Sequence, residues 1–290
     1  MDTELARTFL SVVSAGNFIS AAERMNVTQS TVSARIQTLE RQLGCRLFVR
    51  NKGGTTLTPE GRQFQKHAST LVRTVEQARQ EVGIPRGFHG ALTVGGRIGL
   101  WDAFLLRWVP RFRAAIPNVL VRAEIEFEPA LMQGLVEGRI DIGVMYTPQR
   151  RPGLIVEALF DDILVLLSGT PDSVSALDRD YVYIDWGPEF FAKHSASFPD
   201  FAPSLTTNIG WFGIRHILEN RGSAYLPIRM ARAHIDAGRM APVKGAPEFR
   251  LPAYMIHRED GDTRVMDSAL DTLRRTAAEE MPSGAVGGRR

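Results

Sequence analysis

The N-terminal fold is decided by the stretch Asn26–Gly44, which reads NVTQSTVSARIQTLERQLG. Thr28 is placed to cap a helix, because its hydroxyl can accept a hydrogen bond from a free amide of the first turn. The apolar residues that follow recur at helical spacing: Val32, Ile36, Leu39 and Leu43. Gly44 can then adopt the left-handed conformation in which many helices end. The stretch therefore predicts a helix that begins after Thr28 and buries one face.

Two further helices are predicted before this stretch. The first spans Thr3–Ala15 and ends at Gly16, with four apolar residues on one face: Leu5, Phe9, Val12 and Val13. The second begins at Ser20-Ala21-Ala22-Glu23, which has the capping-box spacing, and ends near Asn26. The second and third helices with their tight turn form a helix-turn-helix.

The third predicted helix has a polar face opposite its apolar stripe. This face carries short or amide side chains, with an arginine at its flank: Gln29, Ser30, Ser33, Ala34, Gln37 and Arg35. Such residues can enter the major groove of DNA, where Gln pairs with adenine, Ser donates or accepts, and Arg forks onto guanine. The alternative is an ordinary solvated face, which is the default for a surface helix.

A β-hairpin is predicted directly after this helix. Residues 46–50 read RLFVR, the turn 51–54 reads NKGG, and residues 55–58 read TTLT. Arg50 and Lys52 lie at the tip, from which they can reach phosphates or the minor groove once the helix sits in the major groove. Residues 1–58 are therefore predicted to be a winged helix-turn-helix that binds double-stranded DNA.

Several motifs of this region resemble the LysR-type transcription regulators. They are 21–24 (AAER), 28–33 (TQSTVS), 39–40 (LE), 43–44 (LG), 47–50 (LFVR) and 57–61 (LTPEG). The resemblance implies DNA contacts by Thr28, Gln29, Ser30, Thr31, Ser33, Arg35, Arg50 and Lys52. The family often has arginine directly after the position of Ser33, whereas here Ala34 precedes Arg35. Cys45 is interpreted as a packing residue, the alternative being a redox sensor.

A linker helix is predicted over residues 59–84, with Pro59 in its first turn and Thr58 as its cap. Its apolar residues alternate spacings of four and three: Phe64, Ala68, Leu71, Val75, Ala78 and Val82. So narrow a stripe is best buried against a second copy, which predicts a homodimer, and the family resemblance extends this to a homotetramer. The alternative is packing of the helix on its own domains. Gly83, Pro85 and Gly87 then indicate a hinge over 85–90.

The remainder predicts an α/β domain, because short apolar strands alternate with helical patterns, and we expect mostly parallel sheets. The resemblance implies the two-lobed, periplasmic-binding-protein-like fold of LysR regulators, with 137–141 as a recurrent landmark. Predicted boundaries are a regulatory domain at 91–278, lobe I at 91–160 and 250–278, lobe II at 161–249, and a disordered tail at 279–290. Predicted strands are 92–94, 119–127, 140–144, 163–167, 181–185, 223–226 and 254–257, with helices at 104–112, 130–137, 209–220, 228–236 and 265–278.

An effector is expected between the lobes, at the carboxyl ends of the strands. The candidates that follow this rule are Arg97, Gly99, Trp101, Glu126, Glu128, Tyr146, Thr206, Thr207 and Asn208. Each has a structural alternative: Trp101 and Tyr146 as core residues, Glu128 as a helix cap. Residues 183–190 (YIDWGPEF) and 1–5 (MDTEL) resemble a LysR branch that includes a repressor of the flagellar master operon. Asp185, Trp186 and Glu189 are candidates for an effector site, a lobe interface or a turn.

Charge and composition narrow the class of protein. Residues 1–89 carry 12 Lys/Arg and 7 Asp/Glu, a local excess that suits DNA, although ordinary surface remains an alternative. No long apolar run or signal segment is apparent, so we expect a soluble cytoplasmic protein without a membrane partner. A transport component is disfavoured for the same reason, and an enzyme because nucleophile and phosphate-loop motifs are missing. Neither a metal nor a cofactor is expected. RNA polymerase is a possible partner.

Overall fold

The computed structural model describes residues 2–51, 54–82, 84–170, 180–259 and 264–280. The N-terminal part contains α1 (Thr3–Ala15), α2 (Phe18–Arg24), α3 (Gln29–Leu43), the hairpin β1 (Phe48–Asn51) and β2 (Gly54–Leu57), and α4 (Pro59–Val82). Gly16 and Gly44 end α1 and α3 with φ of 72° and 70°, as their left-handed caps require. These elements match the predicted helix-turn-helix and wing.

The predicted start of α2 is wrong. The helix begins at Phe18, and its cap is Asn17, whose Oδ1 accepts a hydrogen bond from the amide of Ser20 at 2.7 Å. Asn caps a helix as well as Ser does, so the capping-box pattern at Ser20 was a coincidence of spacing. The helix cap therefore lies three residues earlier than predicted, and Phe18 is buried in the core at 6% exposure.

Aromatic rings hold the N-terminal core together. Phe9 of α1 lies 5.1 Å from Phe48 of β1 and 5.0 Å from Phe64 of α4, measured between ring centroids. Val32, Ile36 and Leu39 of α3 are buried in the same cluster. Leu43, the last residue of the predicted stripe, is 39% exposed because α3 projects beyond the core at its end.

The C-terminal part is built on one mixed sheet. Its strands are β3 (Gly90–Gly96), β4 (Val119–Ile125), β5 (Ile142–Met145), β6 (Leu154–Ser168), β7 (Tyr181–Ile184), β8 (Leu205–Thr207), β9 (Ser223–Pro227), β10 (Ala241–Pro242) and β11 (Phe249–Arg258). Within the described ranges the order is β4-β3-β5-β11-β6-β9-β7-β8, and β10 pairs with β6. Parallel ladders join β3 to β4 and β5 in one lobe, and β7 to β8 and β9 in the other.

Two long antiparallel strands connect the lobes. β11 pairs with β6 from Phe249 opposite Leu164 to Arg258 opposite Leu154. The expectation of mostly parallel sheets is therefore wrong at the centre, where β6 also pairs antiparallel with β9. The segments 163–167 and 254–257 were predicted as separate short strands, because periodicity identifies local stretches and not the partner that extends them. These crossing strands are where the two lobes meet.

Helices cover both faces of this sheet. They are α5 (Ile98–Leu100), α6 (Leu106–Ala115), α7 (Glu128–Glu137), α8 (Pro188–Ser197), α9 (Gly210–Asn220), α10 (Ile228–Asp236) and α11 (Arg264–Glu280), with a π-helical turn at Trp101–Leu105. The predicted helix at 104–112 is thus divided, Phe127 caps α7 instead of ending β4, and α8 and β8 were not predicted. The predicted tail starts at 279, which is too early because α11 runs to Glu280, and the rest of that tail, from 281 onward, lies outside the described residues.

No single described helix is long and apolar enough to cross a membrane, although α1 and α2, bent by 118°, would pass together on length and composition. Across the same residues, no three His, Cys, Asp or Glu side chains are grouped to hold a metal ion.

Candidate DNA interface and inter-lobe cleft

The start of α3 forms a polar surface on the N-terminal part. Thr28 Oγ1 accepts a hydrogen bond from the amide of Thr31 at 3.2 Å and lies 2.8 Å from the hydroxyl of Ser30. Gln29 and Ser30 are exposed, Ser33 is half-buried, and the opposite face of α3 is in the core. The free amides of this first turn and these side chains therefore face the same solvent-accessible surface, a geometry suited to phosphate and base contacts.

Arg35 does not belong to this surface. Its guanidinium lies 3.2 Å from Glu4 Oε2 and donates to Thr8 Oγ1 at 3.4 Å, so it is held against α1. An available carboxylate on α1 thus directs Arg35 away from the polar surface in this structure, and its base contact stays a prediction. The helical position of Arg35, at the flank of the apolar stripe, already directs it toward that neighbour.

Glu40 joins α3 to the wing. Its Oε1 accepts hydrogen bonds from the amides of Leu47 at 2.7 Å and Phe48 at 3.4 Å, while its side chain is only 10% exposed. The wing itself is an antiparallel ladder in which Phe48 is paired with Leu57. Sequence reasoning had noted Glu40 only as part of a family motif. The structure gives its role, which is to fix the hairpin relative to α3.

The tip of the wing is only partly described. The side chain of Arg50 and the whole of Lys52 lie outside the described residues, so their phosphate contacts stay predictions. Cys45, next to the wing, is half-buried and packs against the N-terminal core. This position agrees with the packing interpretation of its thiol.

The predicted dimer seam on α4 is divided between two environments. Phe64 and Ala68 are buried in the N-terminal core, together with Val72, which sequence reasoning missed. For Phe64 and Ala68 the alternative of packing within the chain is therefore the correct one. Further along α4, Leu71 is half-buried against the same core, whereas Val75 is half-buried and Ala78 and Val82 are exposed. Of the predicted seam, the stretch from Val75 to Val82 is the part that remains open to a partner.

Arg97 occupies the cleft between the two lobes. It follows β3 of the first lobe, and its Nη2 donates to the carbonyl oxygen of Asn208 at 2.9 Å and to that of Asp185 at 3.4 Å. Its Nη1 forms an ion pair with Glu128 Oε1 at 3.4 Å. The Arg97 side chain is 8% exposed. The carboxyl ends of β3, β7 and β8 thus converge on one guanidinium, as the strand-end rule predicts.

A second polar cluster links the lobes beside the crossing strands. The Tyr146 hydroxyl donates to Asp162 Oδ2 at 2.8 Å, and Arg229 Nη2 of α10 pairs with the same oxygen at 2.5 Å. Burial first and the Asp162 charge second raise the pKa of Tyr146 well above its usual range, so it stays a phenol. Arg229 lies 4.2 Å from the Phe160 ring centroid, and its Nε and Nη1 have no hydrogen-bond partner among the described residues.

Asp162 and Arg229 were missed as cleft residues. The strand-end rule could have found Arg229, because it comes two residues after β9 ends. Asp162 gives no such signal, since it lies within β6, whose length was not recognised.

Other predicted effector residues lie in different surroundings. Trp101 is buried, and its indole donates to the carbonyl of Glu124 at 3.0 Å, so the core interpretation is the correct one. Glu126 is exposed. A Cβ on Gly99 would lie 2.9 Å from Met230 Sδ, which makes Gly99 a point of close approach between lobes.

A surface pocket of about 720 Å³ lies beside Arg97 on the second lobe. It is lined by Tyr183, Asp185, Gly187, Pro188, Phe191, Thr206, Thr207 and Asn208. Thr206 and Thr207 belong to β8 and precede α9, as predicted for the second-lobe helix. Burial, and then the Asp185 charge, raise the pKa of Tyr183 to about 12, and its buried hydroxyl has no partner among the described residues. Trp186 is core, donating to the Tyr225 carbonyl at 2.9 Å, and Glu189 pairs with Lys193.

The fold and these two surfaces define a class of protein: a winged helix-turn-helix joined by a long helix to a two-lobed domain. Family models agree with this. Residues 3–62 match the bacterial regulatory helix-turn-helix proteins of the lysR family, and residues 85–173 match the LysR substrate binding domain.

The chain is 30% identical over 271 residues to the HTH-type transcriptional regulator HdfR of Escherichia coli O17:K52:H18, covering 92% of this chain and 95% of that protein. The chain therefore belongs to the LysR family of transcriptional regulators, whose members act as DNA-binding regulators and not as enzymes.

Solved structures share the whole architecture. Full-length LysG of Corynebacterium glutamicum with bound effector Arg matches with a TM-score of 0.58 at 18% identity, covering 96% of this chain and 99% of that one. Vibrio fischeri DarR in complex with DNA matches with a TM-score of 0.57 at 20% identity, covering 95% and 99%. At these identities the likeness establishes the fold.

Proposed function

We propose that this LysR-family regulator reads a specific DNA sequence with the first two turns of α3. Gln29, Ser30 and Ser33 contact base edges, and Thr28 and Thr31 contact the adjacent backbone phosphates. The observation that carries the proposal is that these polar groups share one accessible surface, while the same helix is anchored by three buried apolar residues. The wing residues Arg50 and Lys52 add phosphate contacts beside it.

We further propose that the protein works as a homodimer, and as a homotetramer of two such dimers, paired through the second half of α4. Val82 is 90% exposed and Ala78 is exposed on the same helix, which leaves an apolar strip without a partner in the described chain. Pairing sets two readers at a fixed separation, so the DNA site has two half-sites. RNA polymerase is the expected downstream partner, and the cytoplasm, where bacterial DNA is, the expected location.

Each part of the chain has its own task in this proposed function. Residues 1–58 read DNA, 59–84 pair the subunits, 85–90 act as a hinge, and 91–278 sense a small-molecule effector between lobe I and lobe II. The ends of β3 and β8 and the start of α7 supply the contacts, through Arg97, Thr206, Thr207, Asn208 and Glu128. An effector that binds one lobe arrangement better than another shifts the population and changes the spacing of the paired readers.

Selection from random double-stranded DNA tests the reading and the pairing together. The expected result is a selected sequence with two dyad-related half-sites. A footprint on this DNA should show protection of the groove at both half-sites. Val82→Asp should reduce the mass in solution and reduce the selected pattern to one half-site. The control is Thr70→Asp, which adds the same charge at an exposed neutral position of the same helix. Recovery of unrelated sequences by the wild-type protein would reject the proposal.

A further inference from the structure

Resting on the proposed function, we infer that the inter-lobe cleft is a cation-binding site occupied by the chain's own Arg97. The arginine acts as an internal ligand that holds the lobes together. An external effector at this place must then displace a guanidinium, so the ligand class that the site takes is a small organic cation.

The wall around Arg97 has the composition of a cation receptor. One carboxylate, Glu128, and two backbone carbonyl oxygens, of Asp185 and Asn208, accept from the guanidinium. Two aromatic rings complete the site, with the centroid of Phe127 at 5.3 Å and that of Trp186 at 5.9 Å from the guanidinium carbon. Carboxylate, carbonyls and aromatic faces are the groups that recognise guanidinium and alkylammonium ions.

The contacts come from both lobes. Glu128 and Phe127 lie at the start of α7 in the first lobe, with Arg97 itself, whereas Asp185, Trp186 and Asn208 follow β7 and β8 in the second. Each hydrogen bond to Asp185 or Asn208 is therefore lost when the lobes separate. Glu128 is 14% exposed, so a carboxylate left without Arg97 is a buried, uncompensated charge that favours either another cation or an opened cleft.

The inter-lobe site is filled by Arg97 and does not require an added ligand to be occupied. Lobe closure in wild-type protein needs no added compound, because the guanidinium is delivered by β3 at an effective concentration that a free ligand in solution does not reach. Regulation through this cleft then consists of replacing an internal cation by an external one, which leaves Arg97 free to rearrange and changes the lobe contacts.

Distances between spin labels on the two lobes test the inference on the full chain. Labels at Glu126→Cys in the first lobe and Lys193→Cys in the second are introduced with Cys45→Ser. Wild-type protein without ligand is expected to give one narrow distance distribution. In Arg97→Ala the distribution should broaden to longer distances, and millimolar methylguanidinium should restore the narrow one. Methylurea, its neutral isostere, should restore nothing.

The control variant is Arg97→Ala combined with Glu128→Gln, which removes the carboxylate of the receptor. Methylguanidinium should act on this variant with an affinity lower by about tenfold or more, corresponding to about 1.4 kcal/mol. A broad distribution in ligand-free wild type would overturn the inference, as would an unchanged distribution in Arg97→Ala or an equal effect of methylurea.

If Arg97→Ala does not fold, the same distance distribution is measured in Arg97→Lys. A single ammonium cannot reach both Glu128 and Asn208 as the forked guanidinium does, so an intermediate width is expected, and a wild-type distribution would refute the inference. DNA selection on the same wild-type preparation keeps the two ideas apart: loss of specific DNA reading would reject the proposed function and leave the lobe distances unaffected.

Discussion

Replacing Glu40 by alanine should loosen the wing without unfolding α3. The carboxylate accepts from the amides of Leu47 at 2.7 Å and Phe48 at 3.4 Å, and both residues are buried, so water does not readily replace it. A hydrogen bond to a charged group contributes about 1.5–3 kcal/mol. Most of this contribution comes from the shorter bond, so we expect the loss of Glu40 to cost about 2 kcal/mol. Local opening of the wing at Leu47 then becomes about 30-fold more favourable.

Amide hydrogen exchange measures that opening residue by residue. In Glu40→Ala, exchange at Leu47 should be about 30-fold faster, on the order set by the 2 kcal/mol above. Glu40→Gln keeps an acceptor oxygen and should change exchange by less. Gln42→Ala, an exposed position of the same helix, is the matched control. The reasoning is refuted if Glu40→Ala leaves Leu47 protected as in wild type, or if Gln42→Ala has the same effect.

Three further predictions follow from local geometry. Gly61→Ala should cost about 3 kcal/mol or more in unfolding free energy, because a Cβ there would overlap the Leu47 carbonyl oxygen; a wild-type melting temperature would contradict this. Burial raises the pKa of Asp141 from its usual 3.8 to about 6, against the lowering effect of the Thr93 amide, so the protonated form suits the fold and stability should fall as pH rises from about 4 to about 6. Asp141→Asn should remove this slope, about 3 kcal/mol in total; in urea unfolding, a pH-independent difference between the two proteins would show that Asp141 contributes no slope, and a wild-type stability that rises with pH relative to the variant would show the sign to be wrong. Val75→Glu, half-buried on α4, should lower the mass measured by light scattering, and an unchanged mass would exclude it from the pairing surface.

Local signals predicted the N-terminal part well. The cap at Thr28, the glycine ends at Gly16 and Gly44, and the apolar stripe of α3 all act within one or two helical turns, so sequence spacing is enough to find them. Asn17 was missed because two equally good capping residues lie three positions apart, and the choice between them depends on Phe18 reaching the core.

Interactions between residues far apart in the chain limit what can be predicted from the sequence. The crossing strands β6 and β11 owe their length to each other, and Arg35 turns away from the polar face because Glu4, on another helix, is within 3.2 Å. Arg97 was predicted at the cleft from the strand-end rule. Its occupation of the cleft depends on carbonyls of Asp185 and Asn208, far along the chain, which a spacing argument cannot place.

Base reading by α3 is measured by the affinity of Gln29→Ala/Ser33→Ala for a selected DNA site and for unrelated DNA, each over a range of salt concentrations. Each lost base contact costs about 1–3 kcal/mol, so the loss of two should weaken specific binding by about thirtyfold or more. Binding to unrelated DNA and the salt dependence of both should stay as in wild type, because the phosphate contacts remain. Equal loss on both DNAs would contradict base reading by α3.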